Sequence, residues 1–294
     1  MDKPVEKFIA PFRVESGKKF RLKDFSTSDT NGFKDKDQAE RLLAQGVEWM
    51  SEQQEMLYAQ DRYSLLLIFQ AMDAAGKDGT IKHVMSGVNP QGVHVYSFKQ
   101  PTSEELDHEF LWRFAKRMPE RGKICIFNRS YYEDVLVVRV HPEYLTHAKL
   151  PPEAIGKKIW DHRYESIRDF EKHHARQGTI IRKFFLHVSR DEQRRRLLSR
   201  LEERSKNWKF AASDIAERVH WDEYQRAYED AIAATATKEA PWYVVPADHK
   251  WFTRLVVAGV IVDALASLRL QFPKVDQHKR KELKAIEAVL RREK

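Results

Sequence analysis

Leu65–Lys82 reads LLLIFQAMDAAGKDGTIK, and this stretch decides the fold. Its first five residues, Leu65 to Phe69, form a continuous apolar run of the kind that a parallel strand buried on both faces requires. A turn of small residues follows, and then a helix start at Gly76-Lys77. Strand, small-residue turn and helix are the parts of a phosphate loop: small residues let backbone N–H groups approach phosphate oxygens, and the helix N-terminus adds partial positive charge. Lys77 supplies a point charge for bridging or terminal oxygens. The match to the pattern G-x-x-x-x-G-K-[ST] is partial. Ala71 stands in place of the first glycine, Asp78 in place of the metal-binding hydroxyl, and Thr80 comes two residues late. Asp73 inside the loop would repel phosphates unless a divalent cation sat between them, which implies a metal shared by carboxylate and phosphate oxygens.

Outward from this loop, β-rich runs recur at Val93–Phe98, Ile124–Phe127, Ile180–Val188 and Trp242–Val245. Helical patterns lie between them, at about residues 79–88, 103–117, 152–176 and 190–237. Strands separated by helix-length stretches predict a parallel sheet covered on both faces. The expected fold is α/β, a three-layer αβα arrangement with a five-stranded parallel sheet. Ahead of it, Asp37 to Gln60 has the helical spacing Leu42, Leu43, Val47, Met50, Leu57. After Pro246, Trp251 to Leu270 reads as an apolar helix, and Asp276 to Lys294 as a charged one with Leu283, Ile286, Val289 and Leu290 on one side. The predicted organisation is an N-terminal extension and helix (1–60), a phosphate-loop domain (61–272) and a charged C-terminal helix (273–294).

Composition narrows the class. Hydrophobic residues make up 42% of the 294, enough for a sizeable core, and charged residues 33%; this excludes a membrane-embedded or wholly disordered chain. The longest apolar run, Leu255 to Leu265, is broken by Asp263 and falls short of the roughly 20 residues that cross a bilayer. No secretory signal is visible at the N-terminus, and a single cysteine, Cys125, fits a reducing cytoplasm. Lys and Arg number 52 against 44 Asp and Glu, a net charge of +8, which favours polyanionic partners without choosing among them.

A second candidate site follows the run at Ile124–Phe127: Asn128-Arg129-Ser130-Tyr131-Tyr132-Glu133-Asp134. Ligands of open α/β sheets sit beyond the carboxyl ends of the strands, where this segment and the loop both emerge. Arg129 carries a planar fork matched to phosphate, and Glu133 and Asp134 are hard oxygen ligands. Beyond Val188 comes a stretch rich in arginine, with Arg190, Arg194, Arg195, Arg196, Arg200, Arg204, Lys206 and Lys209. Placed at the same sheet edge, it reads as a lid, about 190–222, that closes over reacting phosphates and excludes water.

Taken together, Ala71–Thr80, Phe127–Asp134 and Lys206-Asn207-Trp208-Lys209 resemble the polyphosphate kinase 2 family. Further stretches that carry the resemblance are His108–Arg113, His187–Gln193 and Ala240–Asp248. It spans about residues 15–270, in order. The resemblance implies a P-loop kinase fold with a helical lid and reversible, magnesium-dependent transfer of the terminal phosphoryl group of inorganic polyphosphate to a nucleotide. By resemblance, Asp73 and Asp134 bind magnesium, with manganese as the alternative ion. Lys77 and the backbone of Ala74, Ala75, Gly76, Asp78, Gly79 and Thr80 hold phosphate, while Arg129 and Arg190 stabilise transition-state charge. Lys82 is expected to line a polyphosphate channel, and Asn128, Glu133, Arg194 and Lys209 to meet the nucleotide. Many members carry Asp where Asn128 stands. With Glu133 and Asp134 following, the chain resembles the class III branch, which phosphorylates both AMP and ADP.

The expected partners are therefore polyphosphate, AMP, ADP and ATP, with guanine nucleotides as further acceptors. No membrane or nucleic acid is expected, and a homo-oligomer, dimer or tetramer, is. Two other readings share parts of the pattern: an ATP-dependent nucleoside or nucleotide kinase of the same fold, and, on charge alone, a nucleic-acid-binding protein.

Overall fold

The computed structural model describes residues 2–203 and 212–293. Among the described residues six strands form one sheet: β1 (Arg13–Val14), β2 (Ser64–Ala71), β3 (Val93–Ser97), β4 (Ile124–Asn128), β5 (Thr179–His187) and β6 (Trp242–Pro246). The helices are α1 (Asp2–Ile9), α2 (Lys36–Gln60), α3 (Lys77–Val84), α4 (Ser103–Leu106), α5 (Trp112–Ala115) and α6 (Val137–Val140). They continue with α7 (Ile159–Arg176), α8 (Arg190–Glu202), α9 (Ala212–Glu217), α10 (Trp221–Thr235), α11 (Lys250–Ser267) and α12 (Gln277–Leu290).

The strand order is β1-β6-β5-β2-β4-β3. All five predicted strands are present and mutually parallel. The sixth, β1, departs from the expected five-stranded sheet: it pairs antiparallel with β6, Arg13 opposite Tyr243 and Val14 opposite Trp242. A two-residue strand is too short to carry a period of two, so hydrophobic alternation could not show it. Every residue of β2 is buried, as a central strand covered on both faces must be. Helix α11 packs on β5 and β6 and gathers α1, α2 and α3 around it, while α7 packs on β5 and pairs with α10.

Other differences are local. The expected helix at 103–117 is two single turns, α4 and α5, the first closed by a capping box of Thr102 and Glu105. The stretch expected as one long helix from 190 breaks at Glu202, and after α9 a 3-10 turn at Arg218–His220 leads into α10. In α12, capped by Asp276, the side chains of Leu283, Ile286, Val289 and Leu290 are exposed.

This topology sets the site. Strand β2 lies between β4 and β5, with Phe69 opposite Asn128 and Phe184. The carboxyl ends of β2, β4, β5 and β6 therefore open on one edge of the sheet, each followed by a polar segment.

Candidate active site

Between β2 and α3 the chain turns through Met72 to Gly76. Ala74 has φ +59° and Gly76 φ +104°, so the turn passes twice through the left-handed region, which glycine adopts at little cost and alanine does not. Two side chains from α8 hold it there. The buried Arg196 guanidinium donates to the carbonyls of Ala74 at 3.3 Å and Ala75 at 2.6 Å through Nη1, and to Ala247 at 2.5 Å and Asp248 at 3.2 Å through Nη2. Its Nε donates to Glu192 at 2.6 Å. Buried Gln193 donates to the Asp73 carbonyl at 2.9 Å. The loop is thus tied to the strand end at β6 through one arginine.

Lys77 opens α3 and folds back, its Nζ donating to the Ala71 carbonyl at 3.1 Å. Burial and the nearby Arg129 press its ammonium below the ordinary lysine range, against the pull of Asp73, Glu133 and Asp78. Arg129, just beyond β4, has φ +65°; its Nη2 lies 3.4 Å from Asp73 Oδ1 and its Nη1 4.0 Å from Glu133 Oε2. Those carboxylates, Glu133 foremost, hold its pKa above the ordinary value. Burial raises Glu133. Asn128 donates to Asp78 Oδ1 at 2.7 Å, joining the end of β4 to the start of α3.

Around these residues lies a cavity of about 740 Å³, lined by the loop from Asp73 to Thr80, Ser97 to Gln100 at the end of β3, Asn128 and Arg129, Arg195, Arg196, Ser199 and Arg200 of α8, and Lys250 and Arg254 of α11. Eight basic side chains against two carboxylates make it a receptor for a polyanion.

The structure brings together Asp73, Ala74, Ala75, Gly76, Lys77, Asp78, Gly79, Thr80, Asn128 and Arg129 of the predicted set. Glu133 shares their charge environment. Asp134 does not join them. It lines a second cavity of about 200 Å³ with Glu105, Glu109, His162 and Arg163, and Arg163 Nη1 lies 4.0 Å from its Oδ1. Burial lifts the Asp134 carboxyl to about 6. Lys82, Arg190 and Arg194 are exposed and line neither cavity, and Lys209 lies outside the described residues, as do Arg204 and Lys206.

Sequence reasoning missed Lys99, Gln100, Lys250 and Arg254. The signal was available, since Lys99 and Gln100 follow the end of β3, and Lys250 and Arg254 are spaced i,i+4 just after β6. Among the arginines of α8, those that line the cavity are Arg195, Arg196 and Arg200.

Residues 33–273 match the family model described as Polyphosphate kinase 2. The chain belongs to the polyphosphate kinase 2 family. It is 50% identical over 273 residues to an ADP-polyphosphate phosphotransferase of Rhodopseudomonas palustris, covering 92% of this chain and 94% of that protein. It is 45% identical to an AMP/ADP-polyphosphate phosphotransferase of Meiothermus ruber, covering 89% and 94% of the two chains. The crystal structure of Polyphosphate Kinase 2 from Arthrobacter aurescens superposes with a TM-score of 0.85 at 41% identity, over 94% of this chain and 95% of that one. Polyphosphate kinase 2 membership and the α/β sheet agree with the phosphate-loop reading. No helix among the described residues is long and apolar enough to cross a membrane.

Among the described residues no group of three or more His, Cys, Asp and Glu could hold a metal ion alone. The donors present still fit magnesium, which keeps one or two carboxylates and takes its remaining oxygens from phosphates and water. Asp73 is such a carboxylate, placed in the loop and partly exposed.

Proposed function

We propose that this polyphosphate kinase 2 moves the terminal phosphoryl group of inorganic polyphosphate onto ADP and AMP, reversibly and by direct in-line transfer. The observation that carries the reading is the cavity itself, where a phosphate loop and a guanidinium at the end of β4 face each other inside a wall of six further basic side chains. Magnesium, or manganese in its place, would be held by Asp73 together with phosphate oxygens, with Glu133 a further carboxylate in the same charge environment. When bound, that ion neutralises phosphate charge and orients the donor. Asp134, expected as the second metal ligand, is turned toward Arg163 and lines the other cavity, so it is left out of this ligand set.

Phosphoryl transfer asks little covalent chemistry of a protein; positioning and electrostatic stabilisation supply most of the effect. The backbone N–H groups of the loop and the N-terminus of α3 receive the donor phosphates. Lys77 exchanges its contact with the Ala71 carbonyl for a phosphate oxygen, which restores the charge partner that burial denies it. Arg129 bridges the equatorial oxygens of the transferring group, where negative charge spreads in the transition state. Arg195 and Arg200 take the lid role expected of Arg190, since they line the cavity; of the lid expected at about 190–222 in a 61–272 phosphotransfer domain, residues 204–211 lie outside the described residues. Guanine nucleotides serve as further acceptors and ATP as product, in a cytoplasmic homo-oligomer. Incubating ADP or AMP with polyphosphate and magnesium, without ATP, should yield the next higher nucleotide phosphate; a requirement for ATP would turn the reading to an ATP-dependent kinase.

A further inference from the structure

Behind Arg129 lies a fully buried ion pair that the transfer chemistry does not use. Lys183 of β5 is 0% exposed, and its ammonium donates to Glu171 Oε2 at 2.7 Å, the Thr235 carbonyl at 2.9 Å and the Tyr132 hydroxyl at 3.0 Å. All three N–H groups are thereby spent. Glu171 of α7 accepts on its other oxygen from Tyr131 at 2.9 Å and Tyr132 at 2.8 Å. Burial pushes both phenols well above their ordinary range, so they stay protonated donors. Trp242 and Tyr132 pack edge to face at 4.6 Å and close the chamber.

Net stability is a weak reason for this arrangement. A buried ion pair costs about as much desolvation as it returns, and an apolar replacement is often neutral. What the pair does hold is a particular turn. Tyr131 and Tyr132 lie in sequence between Arg129 and Glu133, and Arg129 sits at φ +65°. A non-glycine residue in that region persists only where its surroundings over-determine it. On one side, Arg129 N donates to the Phe69 carbonyl of β2 at 3.1 Å. On the other, Tyr132 N donates to Ser130 Oγ at 3.2 Å, and the two phenols are anchored by Glu171 and Lys183.

We propose that Lys183 and Glu171 are positioning residues, which clamp Tyr131 and Tyr132 and thereby aim the Arg129 guanidinium into the phosphate cavity. The inference rests on Arg129 acting at the transferring phosphoryl group. A small misplacement of such a group costs up to about a hundredfold in rate.

A mutant cycle tests it. Lys183→Met made together with Glu171→Gln removes both charges, so that neither is left buried alone, and Tyr132→Phe removes one hydroxyl while keeping the ring. Each is made in the wild-type and in the Arg129→Lys background, with kcat and the polyphosphate KM measured and circular dichroism as the check on folding. Positioning through Arg129 predicts a fall in kcat of about tenfold or more, a KM within about twofold, and no further loss when Arg129→Lys is already present. Wild-type kcat in the folded variants, or losses that multiply with that of Arg129→Lys, would overturn it. Should the charge-free pair fail to fold, Tyr132→Phe decides by the same criteria. Full activity in Arg129→Lys alone would remove the role of Arg129 itself, and this inference with it.

Discussion

Arg129 Nη2 stands 3.4 Å from Asp73 Oδ1, so the guanidinium beyond β4 and the carboxylate inside the phosphate loop meet at the wall of the cavity. The contact is long and the arginine side chain is 44% exposed, which leaves part of the fork open to phosphate. Arg129→Lys keeps the charge and loses the planar fork. Its kcat should fall by about a hundredfold or more while the polyphosphate KM changes little. Steady-state kinetics with a varied donor checks this, and an unchanged kcat would mean that Arg129 only packs.

Arg196 joins four carbonyls from two segments, the phosphate loop and the end of β6. Arg196→Met leaves those carbonyls and Glu192 without their buried donor, at a cost of about 3 kcal/mol or more. A lower melting temperature and reduced turnover are expected together. A variant as stable as the wild type would show that the loop holds its left-handed turns unaided.

Channel residues should show themselves through donor length. Lys250→Ala and Arg254→Ala each remove a cation from the cavity wall, and should raise the KM for long polyphosphate more than for a short oligophosphate, with a weaker dependence on salt. Lys82→Ala, at an exposed position away from that wall, should leave both constants unaltered. Equal effects on long and short donors at Lys250 and Arg254 would remove them from the donor's path.

His187 supplies a pH dependence of stability. Burial lowers its pKa from 6.5 to about 4, so the unfolded chain binds this proton more tightly than the folded one. The stability associated with it is complete above about pH 6.5 and is lost as the pH falls toward 4, up to roughly 3 kcal/mol. Denaturation midpoints between pH 4 and 7 should therefore fall with acidity in the wild type and fall less in His187→Gln. Parallel pH slopes in the two proteins would assign the acid sensitivity elsewhere.

The large elements could be read from sequence because they are continuous. An apolar run such as Leu65 to Phe69 reads as a strand buried on both faces because it is short and ends in a small-residue turn, and the lysine that opens the following helix marks that turn as a phosphate loop. Shorter or discontinuous features escaped. Arg13 and Val14 carry too few residues to show alternation, and the 103–117 stretch keeps helical spacing although its chain breaks into two turns. In the site, the residues that follow strand ends were legible where acids and arginines cluster, as at Asn128–Asp134. Which neighbour faces which cavity was not: Glu133 and Asp134 are adjacent, yet they diverge toward Arg129 and Arg163. The same limit applies in α8, where Arg190 and Arg194 line neither cavity while Arg195, Arg196 and Arg200 line the larger one, because helical phase against a distant loop is fixed by tertiary packing. Lys183 reads as an ordinary strand residue until α7 places Glu171 beside it.

The most direct test follows phosphorus from donor to acceptor. With polyphosphate as the sole donor, magnesium present and ADP as acceptor, phosphorus NMR should show the γ-phosphate of ATP growing as the interior phosphates of polyphosphate decline, each transfer leaving a new end group on the shortened chain. The signal should fall by about two orders of magnitude or more in Lys77→Ala and in Asp73→Asn, with native circular dichroism in both. No γ-phosphate from the wild-type protein, or more than about a tenth of its rate in a folded Lys77→Ala, would contradict the account.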